Sequence, residues 1–298
     1  VNNDGFIDLF VANESIPNKP NEWKRCNLYI NNSNGQFTDY APNLGVDYIG
    51  YLKGVTASDY DNDGDMDIYI TNLIGDNFFA HNLLKETGTL AFEEKAKTTK
   101  TNEPEKAFPC WFFDYNNDGY DDLFVSAYDD FIGVGQTAAV AKSYMGIPFD
   151  SEIPRLYLNN RDNTFSNKTI EAKLNLPLHT MGCNYGDLNN DGYDDLVLLQ
   201  NAGGGGEATN TRNKPIVYLN NKENHLVKMD LEGIPEIPVG DNNFDYLIHG
   251  FLADMNGDSI EDLVYYRAAR SYIDSNGTLD PDMTNLIRIY WGVKNLQP

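Results

Sequence analysis

Apolar residues along this chain come in short runs alternating with polar ones, and clusters of Asp, Asn and Gly separate the runs. Alternation with a period of two, bounded by turn residues, predicts β-strands. Four kinds of run recur. One precedes an acidic loop, as in Gly54 to Ser58 and Met181 to Gly186. A second follows that loop, as in Asp67-Ile68-Tyr69-Ile70. A third reads Leu28-Tyr29-Ile30-Asn31-Asn32 and returns as Leu156-Tyr157-Leu158-Asn159-Asn160 and Val217-Tyr218-Leu219-Asn220-Asn221. A fourth carries a Phe just past the Asn/Gly turn, at Phe37 and Phe165. Runs broken by such turns read as hairpins. Each unit therefore has strands A, B, C and D in order. Helical periodicity supports only one helix, from Thr137 to Tyr144 inside a long insertion.

The acidic loops fix the period. Five segments share one grammar: NNDGFIDLFV from Asn2, DYDNDGDMDIYI from Asp59, DYNNDGYDDLFV from Asp114, DLNNDGYDDLVL from Asp187 and DMNGDSIEDLVY from Asp254. Their central acids, Asp4, Asp63, Asp118, Asp191 and Asp258, are separated by 59, 55, 73 and 67 residues. Such a period suits a four-stranded blade with variable loops, so the expected fold is an all-β propeller with about five blades represented. Residues 1–298 read as a single repeat domain. The chain opens inside an acidic loop and ends near Tyr290-Trp291-Gly292, a strand C equivalent. Both ends are thus expected to cut through a blade of a longer parent.

Numbering each loop from its first acid, positions 1, 3 and 5 place alternate carboxylates on a tight turn. Position 7 offers a backbone carbonyl, and position 9 closes the site from the start of strand B. The sets are Asp59, Asp61, Asp63, the Asp65 carbonyl and Asp67; Asp114, Asn116, Asp118, the Tyr120 carbonyl and Asp122; Asp187, Asn189, Asp191, the Tyr193 carbonyl and Asp195; and Asp254, Asn256, Asp258, the Ile260 carbonyl and Asp262. The first loop offers Asn2, Asp4, the Phe6 carbonyl and Asp8. Hard oxygens in this number suit Ca²⁺, whereas Mg²⁺ demands a stricter octahedron. Four to five ions per chain are expected. Clustered carboxylates would otherwise repel one another. An EF-hand is excluded, because position 12 is Ile70, Val125, Leu198 or Tyr265 in place of Glu, within strand-like runs. In the last loop Ser259 replaces the turn glycine, which predicts a strained or weaker site.

Composition narrows the function. Net charge is −23, from 45 acidic and 22 basic residues, which argues against nucleic acid and anionic lipid as partners. Apolar residues make up 41 % of the chain, so a packed core is expected, and no apolar run reaches membrane-spanning length. Three widely spaced cysteines, Cys26, Cys110 and Cys183, give neither a zinc pattern nor a disulfide framework. Cys110 and Cys183 occupy equivalent strand A positions, so a pairing and two buried thiols are both open. His179 and His249 also fall on A strands, as structural side chains or as channel ligands. The Gly203–Gly206 run lacks the Lys-Ser/Thr of a phosphate loop and reads as a flexible loop. Sequons stand at Asn13, Asn31, Asn167 and Asn276.

The acidic loops resemble the FG-GAP/VCBS repeat family, whose members form calcium-binding β-propellers. A closer similarity, to the cartilage acidic protein group, is carried by Pro154 to Asn160 with Phe165, by Leu178-His179-Thr180-Met181-Gly182 leading into Gly186-Asp187, by His249-Gly250-Phe251, and by Tyr144-Met145-Gly146-Ile147-Pro148. This resemblance implies a secreted or surface protein with a seven-bladed propeller, often followed by an ASPIC/UnbV domain that is absent from these residues. Ser259 and the torn ends depart from the pattern.

In such a blade the A–B and C–D turns share one face, and the B–C loops emerge on the other. Those loops are long: Asn13 to Cys26, Ala127 to Ile153, Asn201 to Pro215 and Arg267 to Asn285. Long loops on a rigid scaffold commonly carry binding, though they can also seal blades. The expectation is a non-enzymatic, extracellular or cell-surface calcium-binding scaffold for a protein or glycan partner. Two other readings stay open. A propeller lyase or glycosidase would need a carboxylate pair among residues such as Asp129, Asp130, Glu152 and Glu207. A structural subunit of a surface filament would be found in polymers.

Overall fold

The computed structural model describes residues 1–128, 134–200, 215–223, 225–229, 246–268 and 287–290. Two compact units divide the chain. The first comprises Val1–Asp114, Asp118–Ala127 and Pro154–Lys168, and the second Tyr115–Asn117, Tyr128–Ile153 and Thr169–Pro298.

The first unit holds three antiparallel sheets. One contains β1 (Leu9–Val11), β2 (Asn27–Asn31) and β3 (Phe37–Asp39), followed by a single helical turn, α1 (Ala41–Leu44). The next is a four-stranded meander of β4 (Leu52–Ser58), β5 (Asp67–Asn72), β6 (Phe78–Asn82) and β7 (Phe92–Glu94), with α2 (Leu84–Thr87) and α3 (Ala96–Thr99) beside it in sequence. A second meander has β8 (Ala107–Phe113), β9 (Asp122–Ala127), β10 (Arg155–Asn159) and β11 (Phe165–Asn167). The other unit contains α4 (Val134–Tyr144) and a four-stranded sheet of β12 (Thr180–Gly186), β13 (Asp195–Gln200), β14 (Ile216–Asn220) and β15 (Leu226–Met229). Its last sheet has β16 (Tyr246–Ala253), β17 (Asp262–Ala268) and β18 (Ile287–Tyr290). The protein is thus mostly β, with antiparallel sheets repeated along the chain.

The strand order expected from the sequence holds in every sheet described. The hairpin around each acidic loop closes identically: Ser58 faces Asp67, Phe113 faces Asp122, Gly186 faces Asp195 and Ala253 faces Asp262. Position 9 is therefore the first residue of strand B each time. All four A strands also shift register near their starts, between Leu52 and Val55, Ala107 and Cys110, Thr180 and Gly182, and Leu247 and His249. A bulge at the same place in every repeat marks a built feature of the unit.

Every residue of β5 and of β9 is buried. A strand covered on both faces carries a continuous apolar run, which is why Ile68-Tyr69-Ile70 and Leu123-Phe124-Val125 lack polar alternation. Aromatic side chains fill the space between the two meanders of the first unit. Phe79 lies 4.9 Å from Tyr60, 5.7 Å from Tyr69 and 5.9 Å from Phe112, ring centre to ring centre. Strands β4 and β8 approach closely at Gly54, where a β-carbon would stand 2.7 Å from the Phe108 carbonyl oxygen.

Helix content is richer than expected. α4 starts at Val134, three residues ahead of the expected Thr137. The single turns α1, α2 and α3 are too short to leave a periodic apolar stripe. α1 and α2 end on glycines in the left-handed region, Gly45 at φ 71° and Gly88 at φ 70°. Among the described residues, no helix is long and apolar enough to cross a membrane.

Candidate metal centres in the acidic loops

The acidic loops are built by recurring hydrogen bonds, the first of them present in all five and the second in the four that include position 1. One position 5 oxygen accepts the backbone N–H of position 7: Asp4 from Phe6 at 2.9 Å, Asp63 from Asp65 at 2.9 Å, Asp118 from Tyr120 at 3.0 Å, Asp191 from Tyr193 at 3.1 Å and Asp258 from Ile260 at 2.9 Å. Position 1 accepts two more amides. Asp59 takes Asp63 and Gly64, Asp114 takes Asp118 and Gly119, Asp187 takes Asp191 and Gly192, and Asp254 takes Asp258 and Ser259, at 2.8–3.1 Å. These bonds curl the backbone of each loop around its carboxylates. The turn needs positive φ at position 6, and Gly64 sits at φ 97°. Ser259 takes the same place at φ 66°, as expected from the sequence. A non-glycine residue there costs on the order of 1 kcal/mol.

Strand C closes the first four loops, each through one asparagine. The backbone N–H of Asn31, Asn82, Asn159 and Asn220 donates to Asp8, Asp67, Asp122 and Asp195 at 2.7–2.9 Å. Their side-chain amides donate to the carbonyl just before that acid, on Ile7, Met66, Asp121 and Asp194. Three reach further, to position 2 of the preceding loop: Asn82 to the Val1 carbonyl, Asn159 to Tyr60 and Asn220 to Tyr115. A second latch starts at position 4. Asn3 donates to the Gly64 carbonyl, Asn62 to Gly119, Asn117 to Gly192 and Asn190 to Ser259, at 2.5–3.4 Å. Each of these Asn residues has φ between 55° and 59°, which asparagine tolerates. Neither latch was evident from the sequence, although the recurring Asn at both places was its trace.

The second loop has the densest set of acids. Oxygens of Asp59, Asp61 and Asp63 lie within 4.8 Å of one another. Asp61 Oδ1, Asp63 Oδ2, Asp65 Oδ1 and Asp67 Oδ2 are buried without a hydrogen-bond partner. Buried carboxylate oxygens left in that way are costly. Burial, followed by the Asp63 charge, pushes Asp61 upward from the ordinary carboxylate range. Burial pushes Asp67 up to about 6, against the opposing bonds from His81 and Asn82. In the fourth loop, burial pushes Asp195 up to about 8, and the Asp187 and Asp191 charges add to it.

In the third loop Asp114, Asp118, Tyr120 and Asp122 lie in the first unit. In the first loop Asn2 is half-buried and donates to the exposed Asp4 at 2.9 Å. In the last loop Asp254, Asn256 and Asp258 are exposed, whereas Ile260 and Asp262 are buried. The oxygen-only donor sets, with the unpartnered carboxylate oxygens of the second loop, fit a hard divalent cation better than a transition metal.

Side chains from the C–D turns reach the same loops. Asn163 donates to Asp61 at 3.1 Å, and the Arg161 guanidinium pairs with Asp118 at 2.7 Å. The two kinds of turn therefore share a face within their unit, as expected. His81 and Glu86 went unnoticed in the sequence. His81 is buried with Nδ1 3.0 Å from Asp67, and its Nε2 is 3.3 Å from Glu86. Burial disfavours the imidazolium, but the bond to Asp67 and the surrounding acids outweigh it and raise the His81 pKa.

The remaining candidates are simpler. Cys26, Cys110 and Cys183 are buried and none forms a disulfide. His179 is buried and its ring stacks on Tyr128 at 5.2 Å, a structural role. The side chain of His249 lies outside the described residues, as do Asp129, Asp130, Gly203–Gly206, Glu207 and Asn276. So do 201–214 of the third insertion and 269–285 of the fourth. Within the second insertion Glu152 is half-buried, and Tyr144, Met145 and Ile147 are exposed beyond the end of α4. The first insertion exposes Trp23 and Ile16, with the indole N–H donating to the Ile16 carbonyl at 2.9 Å.

One comparison bears on these repeats. Residues 1–70 match the model of the FG-GAP-like repeat family. This stretch covers the first two acidic loops and ends on strand β5, so the match supports the FG-GAP resemblance there. No curated protein matches the chain. The FG-GAP-like repeat suits an adhesion or interaction scaffold as a general kind of role.

Proposed function

We propose that this chain is a calcium-stabilised segment of an FG-GAP-type β-propeller that binds a protein or glycan partner outside the cell and catalyses no reaction. The carrying observation is the hydrogen-bond pattern repeated in the acidic loops, together with the unpartnered carboxylate oxygens in the second. A divalent cation would satisfy the oxygens of Asp61, Asp63 and Asp67, cancel their repulsion and tie strand A to strand B in each repeat. Four to five ions per chain follow from five loops. Affinities of roughly 10⁻⁴ to 10⁻³ M would match extracellular calcium. The FG-GAP-like match over residues 1–70 supports an extracellular setting, where such repeats typically occur. The blade arrangement rests on the recurring meander, and a seven-bladed parent on the resemblance to the cartilage acidic protein group.

The partner surface is assigned to the B–C insertions. Exposed Trp23, Tyr144 and Met145 on two of them are the aromatic and flexible apolar residues that binding surfaces favour. Thermal unfolding tests the calcium role. Excess chelator is expected to lower the melting temperature by many degrees, with millimolar Ca²⁺ restoring it and equimolar Mg²⁺ restoring much less. Equal melting curves in all three conditions would overturn the reading.

A further inference from the structure

We infer that the second acidic loop holds a second hard divalent cation, beside the calcium expected there, on the carboxylates of Asp63, Asp65 and Glu86. Oxygens of these three residues lie within 4.8 Å of one another. The Asp65 side chain is central. It is 1 % exposed, its Oδ2 accepts the Lys85 backbone N–H at 2.7 Å, and its Oδ1 has no partner. Asp63 Oδ2 is likewise buried without a partner. A buried ionised carboxylate with an empty oxygen, facing two more carboxylates, needs a cation or a proton.

Nothing in the ordinary loop grammar needs this cluster. Position 7 is required only for its backbone carbonyl, and the other loops place Phe6, Tyr120, Tyr193 and Ile260 there. Only the second loop has an acid at that position. The supporting structure is also peculiar to this repeat. α2 follows directly on β6 and carries Glu86 to the loop, and His81 on β6 stands between Asp67 and Glu86. His81 acts as a positioning residue: its two ring nitrogens hold one acid of the calcium set and one of the new set. Asp63 belongs to both sets, so the two ions would share a carboxylate, at the separation of about 3.5–4 Å usual for paired metals.

The donor atoms are oxygens, so calcium or manganese is the expected ion. The second site rests on the proposed calcium reading and adds to it only the side chains of Asp65 and Glu86, which the test changes. The full chain and the variants Asp65→Asn and Glu86→Gln are loaded with Mn²⁺. Bound metal is counted and electron paramagnetic resonance recorded, with circular dichroism confirming the β fold. Asp65→Asn keeps an oxygen for the Lys85 N–H, and Glu86→Gln changes a half-exposed side chain, so one or both should fold. The parent is expected to show an exchange-coupled Mn²⁺ pair. Each folded variant is expected to bind one ion fewer and to show only isolated-ion signals. Variants that bind as many ions as the parent, with no coupled signal in either, would overturn the second site while leaving the calcium reading intact. A parent that binds no ion would overturn both.

Discussion

At Asp195 both carboxylate oxygens already accept backbone N–H groups, from Asn220 at 2.8 Å and Leu188 at 3.0 Å, inside a fully buried environment. Those two bonds favour the charged form, yet burial outweighs them. Asp67 follows the same logic with a smaller shift. An unperturbed Asp ionises near 3.9, so both groups hold their proton more tightly folded than unfolded. The folded state then binds more protons, and stability falls as pH rises. The contribution is fully present below pH ~4 and is lost as pH passes about 6 for Asp67 and about 8 for Asp195. A bound cation prefers the ionised form and reverses the balance. In chelator, the melting temperature is therefore expected to decline between pH 5 and pH 8. In millimolar calcium the decline should vanish. Thermal unfolding across that range checks it, and parallel pH profiles with and without calcium would count against it.

Among the repeated elements, the strand C asparagine joins a loop to its own strand and to the loop before it. Asn159→Ala would strand two carbonyls, on Tyr60 and Asp121, and is expected to cost about 2–4 kcal/mol. Asn160→Ala removes only exposed side-chain contacts with Thr164 and Ser166 and should stay within about 0.5 kcal/mol. Denaturant unfolding of the pair decides whether the latch matters: equal losses would refute it. Phe79→Ala, at the centre of the aromatic packing between the two meanders, is expected to cost about 3–5 kcal/mol in the same assay.

Strand order and the acidic turns were legible in the sequence because each repeat declares them locally. Asp-x-Asp/Asn-x-Asp-Gly fixes the turn, and an apolar run on either side fixes the hairpin. The strand C and D pair of the second repeat was not legible. Phe78 to Asn82 places His81 where the other repeats have Ile30, Leu158 and Leu219, and α2 replaces the Asn-Asn turn. Both inter-loop latches were hidden for a different reason. Asn62 and Gly119 are far apart in sequence, and no local pattern states that one donates to the other. The roles of Glu86 and of the Asp65 side chain arise the same way, from a fold that brings α2 against the second loop.

Taken as a whole, the molecule carries a net charge of −23, and a large share of its acids sits in five loops. Without cations, self-repulsion of that size opposes compaction. On the proposed reading, calcium bound in the loops would offset that repulsion and leave the insertions as the binding surface. The most direct check is the number of calcium ions retained per chain, measured by elemental analysis after unbound ion is removed at millimolar calcium activity. Four to five ions are predicted from the loops, with one more from the paired site of the second loop. A chain that retains no calcium while keeping its β fold would contradict the central claim and leave the acidic loops as bare turns.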